Sequence, residues 1–228
     1  GILKSDKKIN GKLNGALPRT GEFTPDSVRA ALGLEPHPTP EPSKLVTRRP
    51  PALCKGCGHR DVYAALNEAL THYDHPKVFG DIGCYTLGWL APYNAIDTCV
   101  DMGASITMAK GAADAGQHPA IAIIGDSTFT HSGMTGLLDA INEDSPITVI
   151  ISDNLTTGMT GGQDSQGTGK LEQICLGLGL APDCLHTIDS LPKNHDAMVD
   201  LFRRAIDHRG VDVIISRREC LQTARRKK

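Results

Sequence analysis

Two residues that follow apolar runs carry the first chemistry. Asp126 comes after Ala120–Ile124, and Asn154, preceded by Asp153, comes after Ile147–Ser152. A carboxylate, an amide oxygen and a nearby main-chain carbonyl make a hard-oxygen site that suits Mg²⁺ and leaves coordination places for phosphate oxygens. Either dipeptide alone, Gly125-Asp126 or Asp153-Asn154, is an ordinary strand-end turn. The pair, one at the end of each of two core strands, points instead to a cation with an anionic ligand. The helix expected after Thr130 offers its N-terminus to the same anion. The second chemistry is sulfur. Cys54-Lys55-Gly56-Cys57 is a C-x-x-C followed by Gly58-His59, and it admits a zinc half-site, a redox pair or half of an iron–sulfur site. No second C-x-x-C completes a zinc ribbon, and the Pro-rich stretch before Cys54 is a poor first strand for a thioredoxin-like fold. Cys84 and Cys220 each come shortly after a strand signal. Four cysteines could therefore meet on one [4Fe–4S] cluster beside the phosphate site. Cys99, Cys175 and Cys184 lie in apolar contexts and are expected to be core thiols.

These residues need a scaffold that brings strand ends together, and the pattern from Pro51 onward predicts one. Apolar β-rich runs at Val78–Phe79, Ala120–Ile124, Ile147–Ser152, Cys184–Ile188 and Val211–Ser216 alternate with helical periodicity. The helical stretches are Val62–Leu70, Ile106–Ala115, Ser132–Ile141 and Asp196–His208. That alternation indicates an α/β fold, a doubly wound and mostly parallel sheet with helices on both faces. In such folds ligands bind beyond the carboxyl ends of the strands at a topological switch point. Residues 1–50 are expected to be an appendage. It would hold one short helix, Pro25–Leu32, opened by Thr24-Pro25-Asp26 and stopped by Gly33. Pro36, Pro38, Pro40 and Pro42 at alternate positions exclude helix and favour an extended linker. Residues 51–228 would form the α/β domain.

Composition removes other classes. The 228 residues hold 22% charged and 39% hydrophobic side chains with a formal net charge of -2, an ordinary soluble balance without a nucleic-acid footprint. Aromatics at 4% are too few for a base-stacking platform. No apolar run approaches the ~18 residues of a membrane span. The polar start, Gly1 to Lys8, is not a secretory signal, and a cytoplasmic chain with free or metal-bound thiols is expected. The absence of an initiator Met suggests a piece of a longer polypeptide.

Gly125-Asp126-Ser127 continuing to Asp153-Asn154 resembles the thiamine-diphosphate (ThDP) motif that begins Gly-Asp-Gly and ends Asn-Asn. Ser127 and Asp153 depart from it, whereas the cation ligands Asp126 and Asn154 match. The stretch Thr157–Gln163, with Met159-Thr160-Gly161-Gly162-Gln163, resembles the Thr-Gly-Gly-Gln loop of 2-oxoacid:ferredoxin oxidoreductases. The order of Cys54, Cys57, Cys84 and Cys220 is similar to the cluster pattern of those enzymes. Gly80–Gly88, Asp101–Ser105, Gly125–Phe129 with His131-Ser132-Gly133, and the connector Leu17–Glu22 look like the indolepyruvate type. About three-quarters of the chain, Pro50 to Cys220, carries this likeness.

The resemblance implies that Asp126, Asn154 and the Thr156 carbonyl hold Mg²⁺. Gly83, Cys84, Gly103, Gly125, Ser127, Gly158, Met159 and Thr160 would surround ThDP, and the four cysteines would hold a [4Fe–4S] cluster. The implied reaction is oxidative decarboxylation of a 2-oxoacid, an arylpyruvate such as indolepyruvate, with coenzyme A and ferredoxin. The Glu that assists the cofactor's aminopyrimidine would come from a pyrimidine-binding domain on another segment or subunit. A gamma-type subunit and an oligomeric enzyme are implied as well, and the chain alone should be inactive. His59 and His131 are possible substrate contacts. The alternative for His59 is a cap on a helix beginning near Asp61, and for His131 a local hydrogen bond. Met102 would be a prop beneath the cofactor or plain core. The run Arg225-Arg226-Lys227-Lys228 is a solvated tail or a weak docking patch for acidic ferredoxin. Two rivals remain: a non-oxidative ThDP-dependent decarboxylase or lyase, which needs no cluster, and a zinc-bound interaction module built on the C-x-x-C.

Overall fold

The computed structural model describes residues 9–226 except 39, 42, 48 and 49. Two compact units divide the chain, Gly1–Arg49 and Pro50–Lys228. The expectations for the polar start, for the full proline ladder and for the final two lysines reach residues outside the described set. In the first unit Pro25 at the first helical turn and Thr24, whose Oγ1 accepts the Ser27 N–H at 3.2 Å, open α1 (Pro25–Ala31). Gly33, at φ +70°, follows its end, where a left-handed residue costs glycine least.

The second unit begins with α2 (Gly58–Leu70), followed by β1 (Lys77–Gly80), a 3₁₀ segment (Cys84–Trp89) and β2 (Thr98–Cys99). Next come α3 (Ala104–Asp114), β3 (Ala120–Gly125), a single turn α4 (Asp126–Thr128), a π-type turn (Phe129–Gly133) and α5 (Met134–Asn142). The remainder is β4 (Thr148–Asp153), α6 (Leu171–Gly177), β5 (Leu185–Asp189), α7 (His195–Asp207), β6 (Asp212–Arg217) and α8 (Leu221–Arg226). The six strands form one sheet in the order β2-β1-β3-β4-β6-β5, and every pairing is parallel.

The period of two along each strand sorts the core into layers. Ile121, Ile123, Ile150 and Ile214 face α2 and α7. Ala122, Ile124, Val149, Ile151, Val213 and Ile215 face α3, α5 and α6. Both faces are therefore covered, which is why the central strands contain apolar runs rather than an alternation with polar residues. Truncating a fully buried isoleucine such as Ile150 to Ala would cost about 2–5 kcal/mol.

The chain steps outward from β1 to β2 and then crosses back to β3, so consecutive connections diverge between β1 and β3. That is the switch point, and its crevice opens at the carboxyl ends. The sheet is wholly parallel rather than mostly so. Four labelled elements escaped the sequence: β2, a two-residue edge strand, the single turn α4, which begins at Asp126 rather than after Thr130, and the short helices α6 and α8, each too brief to show a period. Among the described residues, no helix is long and apolar enough to cross a membrane.

Candidate cofactor site

The crevice beyond β1, β3 and β4 is lined by Ile82, Gly83, Cys84 and Tyr85 from the first, and Gly125, Asp126, Ser127 and Thr128 from the second. Asn154, Thr156, Thr157, Gly158, Met159 and Thr160 come from the third, and Met102 closes one side. Parallel register produces this meeting: Gly125 pairs with Ser152 and Gly80 with Ile123, so the residues that follow emerge side by side.

The floor is made by small residues over an aromatic ring. A Cβ on Gly83 would stand 2.3 Å from Tyr85 Cε1, and one on Gly125 would stand 2.7 Å from the same atom. Tyr85 is itself fixed: its hydroxyl donates to Asp81, and its carbonyl accepts the Tyr63 hydroxyl at 2.6 Å. Asp81 is buried and its Oδ2 accepts the Gly103 N–H at 3.0 Å, the Ser105 N–H at 3.2 Å and the Ser105 Oγ at 2.7 Å. It therefore ties the end of β1 to the start of α3, satisfying first-turn N–H groups that the helix cannot. Gly103 has φ +96°, and a Cβ there would meet Ser132 Oγ at 2.4 Å, so it closes a tight turn behind the cleft rather than lining it.

Asp126 is the buried charge of the site. Its Oδ2 has no hydrogen-bond partner, and burial pushes its carboxyl up to about 6, with the Asp153 charge adding to the same effect. An unpartnered buried carboxylate oxygen costs free energy, and a hard cation at this place would relieve it. Asn154 Oδ1 accepts the Thr156 N–H at 3.1 Å. Between them Leu155 has φ +59°, a left-handed conformation uncommon for a bulky residue, and strain of this kind gathers at functional sites. This turn aims Asn154 and Thr156 into one cleft, and nothing in the residue type Leu announces it. The donor set, a carboxylate, an amide and a buried Thr156, fits Mg²⁺ with a diphosphate. Ser127 Oγ and Thr157 Oγ1 lie 2.8 Å apart and both residues line the cleft. Asp153, which stands where an Asn was expected, is held by Arg217 Nε at 2.6 Å. Arg217 also reaches Glu172 at 2.9 Å, so that charge is structural.

A second cavity adjoins the first. Cys54, Cys57, Cys84 and Cys220 all line it, with Leu53, His59, Val62, Leu87, Ser216 and Arg218. Cys84, Asn154 and Gly158 belong to both cavities and form the wall between them. A Cβ on Gly158 would lie 3.4 Å from Cys84 Sγ, 3.8 Å from Cys220 Sγ and 3.8 Å from Asn154 Nδ2. Each sulfur is placed by local structure. Gly56 at φ +82° lets the Cys57 N–H reach the Cys54 carbonyl at 3.0 Å. Cys57 then occupies the N-cap position of α2, without a side-chain cap hydrogen bond. The Cys220 N–H donates to the Asn154 carbonyl at 3.0 Å, zipping the segment after β6 to the end of β4. Arg218 Nη1 binds Asp61 Oδ2 at 2.5 Å and the Ser190 carbonyl at 3.1 Å, which braces the C-x-x-C side against the Cys220 side. Burial pushes the Cys84 thiol up to about 11 and also raises Cys57, with the neighbouring cysteines adding to both. Among the described residues, groups of three ligand atoms within 4.8 Å of one another do not include these sulfurs. Sulfurs on a single tetrahedral zinc, at Zn–S distances of about 2.3 Å, would stand closer together than that.

Several expectations are corrected here. The helix after the C-x-x-C starts at Gly58, not near Asp61, so His59 is no cap. It is buried in the sulfur cavity at 4% exposure, edge-on to Tyr85 at 6.3 Å, and burial lowers it to about 4. His131 is exposed and lies 2.9 Å from Ser132 Oγ, in a shallow pocket with Met102, Ser127 and Thr157 at the cleft mouth. Met102 is 36% exposed and lines the cleft, so it is not core. Among the remaining thiols Cys175 is core, whereas Cys99 is exposed on the edge strand β2 and Cys184 is half-buried just before the other edge strand, β5.

The sequence pattern described as "Thiamine pyrophosphate enzyme, C-terminal TPP binding domain" matches residues 81–215; thiamine pyrophosphate is ThDP. The chain is similar to the indolepyruvate oxidoreductase subunit IorA of Archaeoglobus fulgidus, at 35% identity over 93% of this chain and 37% of that protein. It is likewise similar to the subunit of the same name from Methanothermobacter marburgensis, at 35% identity over 95% of this chain and 37% of that one. The chain thus spans a little over a third of the length of these relatives. Among solved structures, its fold is similar to that of the 2-oxoglutarate:ferredoxin oxidoreductase from Magnetococcus marinus with 2-oxoglutarate, coenzyme A and succinyl-CoA bound. That match has a TM-score of 0.62 and 18% identity, over 76% of this chain and 66% of that chain. The parallel sheet, the crevice at its switch point and the match over residues 81–215 agree: the chain belongs to the thiamine pyrophosphate enzyme family, as its C-terminal TPP binding domain.

Proposed function

We propose that this chain is the ThDP-binding part of a 2-oxoacid:ferredoxin oxidoreductase of the indolepyruvate type. The whole enzyme would convert an arylpyruvate and coenzyme A into the acyl-CoA and CO₂ and pass the electrons through a [4Fe–4S] cluster to ferredoxin. The observation that carries this reading is the common wall. Cys84, Asn154 and Gly158 face both the cleft with the unpartnered Asp126 Oδ2 and the cavity with four cysteines. A decarboxylase without redox chemistry has no use for the second cavity.

Bound ThDP would supply the carbanion chemistry and the electron sink for loss of CO₂. The chain's own residues do the rest. Asp126, Asn154 and the Thr156 carbonyl hold Mg²⁺, with Ser127 and Thr157 donating to the diphosphate. Gly83, Gly125 and Gly158 keep side chains out of the cofactor's path, and Met102, Met159 and Thr160 exclude water at the mouth. Cys54, Cys57, Cys84 and Cys220 would hold the cluster, which would carry the electrons away. His59, neutral in its buried place, contributes shape and a polar edge there, and His131 meets substrate at the rim. Residues 1–50 serve as connector and 51–228 as the domain. The pyrimidine-binding domain, a gamma-type subunit and ferredoxin complete an oligomeric, cytoplasmic enzyme.

The test is metal, sulfide and ThDP content of anaerobically prepared protein together with its partner domain. About four irons and four sulfides with one ThDP and one Mg²⁺ per chain are expected. ThDP and Mg²⁺ without iron would overturn the redox reading in favour of a non-oxidative lyase. Tightly bound zinc without ThDP would favour an interaction module.

A further inference from the structure

The opposite end of the sheet carries a cluster that the proposed reaction does not use. Cys184 stands just before β5, His208 just past α7, and Asp212 opens β6. These three place one ligand atom each within 4.8 Å of one another. The Asp212 side chain is 5% exposed. Its Oδ1 lies 3.0 Å from His186 Nε2, and its Oδ2 contacts His208 Nδ1. Asp183 and Arg204 complete the rim of a shallow pocket over these groups. Negative charge is concentrated here, since Asp183 and Asp144 lie close enough to act on the Cys184 thiol along with Asp212. Asp144 also borders His208: a Cβ on Gly210 would lie 2.7 Å from Asp144 Oδ1 and 3.0 Å from His208 Cε1. A His–Asp–His pairing accounts for the two imidazoles but not for a thiol at ligand distance or for the surrounding carboxylates.

We propose that Cys184, His208 and Asp212 form a binding site for a zinc-class divalent cation, with His186 orienting the Asp212 carboxylate. One sulfur, one imidazole nitrogen and one carboxylate oxygen suit borderline cations such as Zn²⁺ or Co²⁺ and are too soft for Mg²⁺ or Ca²⁺. The hydrogen bond from His186 to the ligating carboxylate is the outer partner such sites require. Three protein ligands leave a fourth position to water from the open pocket. The bound cation would pin the start of edge strand β5 to β6 and to the end of α7.

The test is titration of Co²⁺ into the chain carrying Cys54→Ser, Cys57→Ser, Cys84→Ser and Cys220→Ser, which removes the competing sulfur cavity. One equivalent is expected, with a thiolate-to-cobalt charge-transfer absorption that disappears on adding Cys184→Ala and is displaced by Zn²⁺. His186→Ala should weaken binding by about 10- to 100-fold without removing the band. Absence of a thiolate band, or a band that survives Cys184→Ala, overturns the site. Should the fourfold variant not fold, the same comparison is made by zinc content between the unaltered chain and its Cys184→Ala and His208→Ala variants. Each is expected to lose one equivalent, and unchanged content in either overturns the proposal.

Discussion

The two cavities that share Cys84, Asn154 and Gly158 are assembled on opposite plans. The cleft takes its residues from the ends of β1, β3 and β4, whose relative positions are set by the hydrogen-bond ladder. It holds a buried carboxylate oxygen without a partner, a cost the surrounding sheet is rigid enough to bear. The sulfur cavity collects cysteines from the turn before α2, the segment after β1 and the start of α8. Those segments are held by Arg218 on Asp61 and by the Cys220 N–H on the Asn154 carbonyl. A site grown from adjacent strand ends is preformed. One gathered from loops depends on a few braces and on the group it binds.

The sharpest way to break this comparison is Cys220→Ser, because Cys220 lines the sulfur cavity and not the cleft. Iron content should fall to near zero, and ferredoxin reduction by the complete enzyme should drop by roughly a thousandfold, since the electrons then lack an exit. ThDP binding, measured by calorimetry, should survive. Loss of ThDP binding as well would show that the two cavities are one site.

Asp126→Asn should act in the opposite sense. Cofactor affinity is expected to fall by at least about a hundredfold with the loss of the charged ligand. The cofactor-free protein should instead become more stable at neutral pH. Asp126 keeps its proton up to about 6 in the folded chain, against an ordinary 3.8. Its contribution therefore favours folding in acid and is lost as pH rises from about 4 to about 6. Removing the charge should recover up to about 3 kcal/mol above pH 6 and nothing near pH 3, measured by denaturant melts at both pH values.

Gly158→Ala sharpens the idea of a common wall. Its Cβ would make ordinary contacts with both sulfurs and with Asn154, so melts should shift by less than about 0.5 kcal/mol. Cluster and cofactor occupancy should both fall, by about tenfold, because the methyl group stands between them. A change in one alone would assign Gly158 to a single cavity. The smallest effect expected is that of Ser127→Ala, which removes the 2.8 Å contact with Thr157. About 1 kcal/mol of cofactor affinity, or roughly fivefold, should go with it, with iron content unchanged.

Much of this architecture was legible residue by residue. The apolar runs ending at Gly125 and Asp153 could only be strands buried on both sides, and in a parallel sheet their following residues must emerge together. The cysteines at 84 and 220 follow such strands, which is why they could be placed at the same edge as Asp126. Less was legible where the signal is conformational. Leu155 and Asp81 look unremarkable in sequence, yet one holds a left-handed φ between Asn154 and Thr156 and the other ties β1 to α3. Cys99 and Cys184 have apolar neighbours in sequence but sit on or beside edge strands, where only one side is covered.

By itself the sequence determined the α/β class, the strand ends that bear the polar residues and the set of sulfur and oxygen donors, because hydrophobic period and residue chemistry are local properties. Only the tertiary structure decided which donors face a common space. The strand order, the switch point between β1 and β3 and the meeting of Cys184, His208 and Asp212 at the far edge arise from pairings between distant segments. No local pattern encodes them, since they follow from how the whole chain buries its two apolar faces against one sheet.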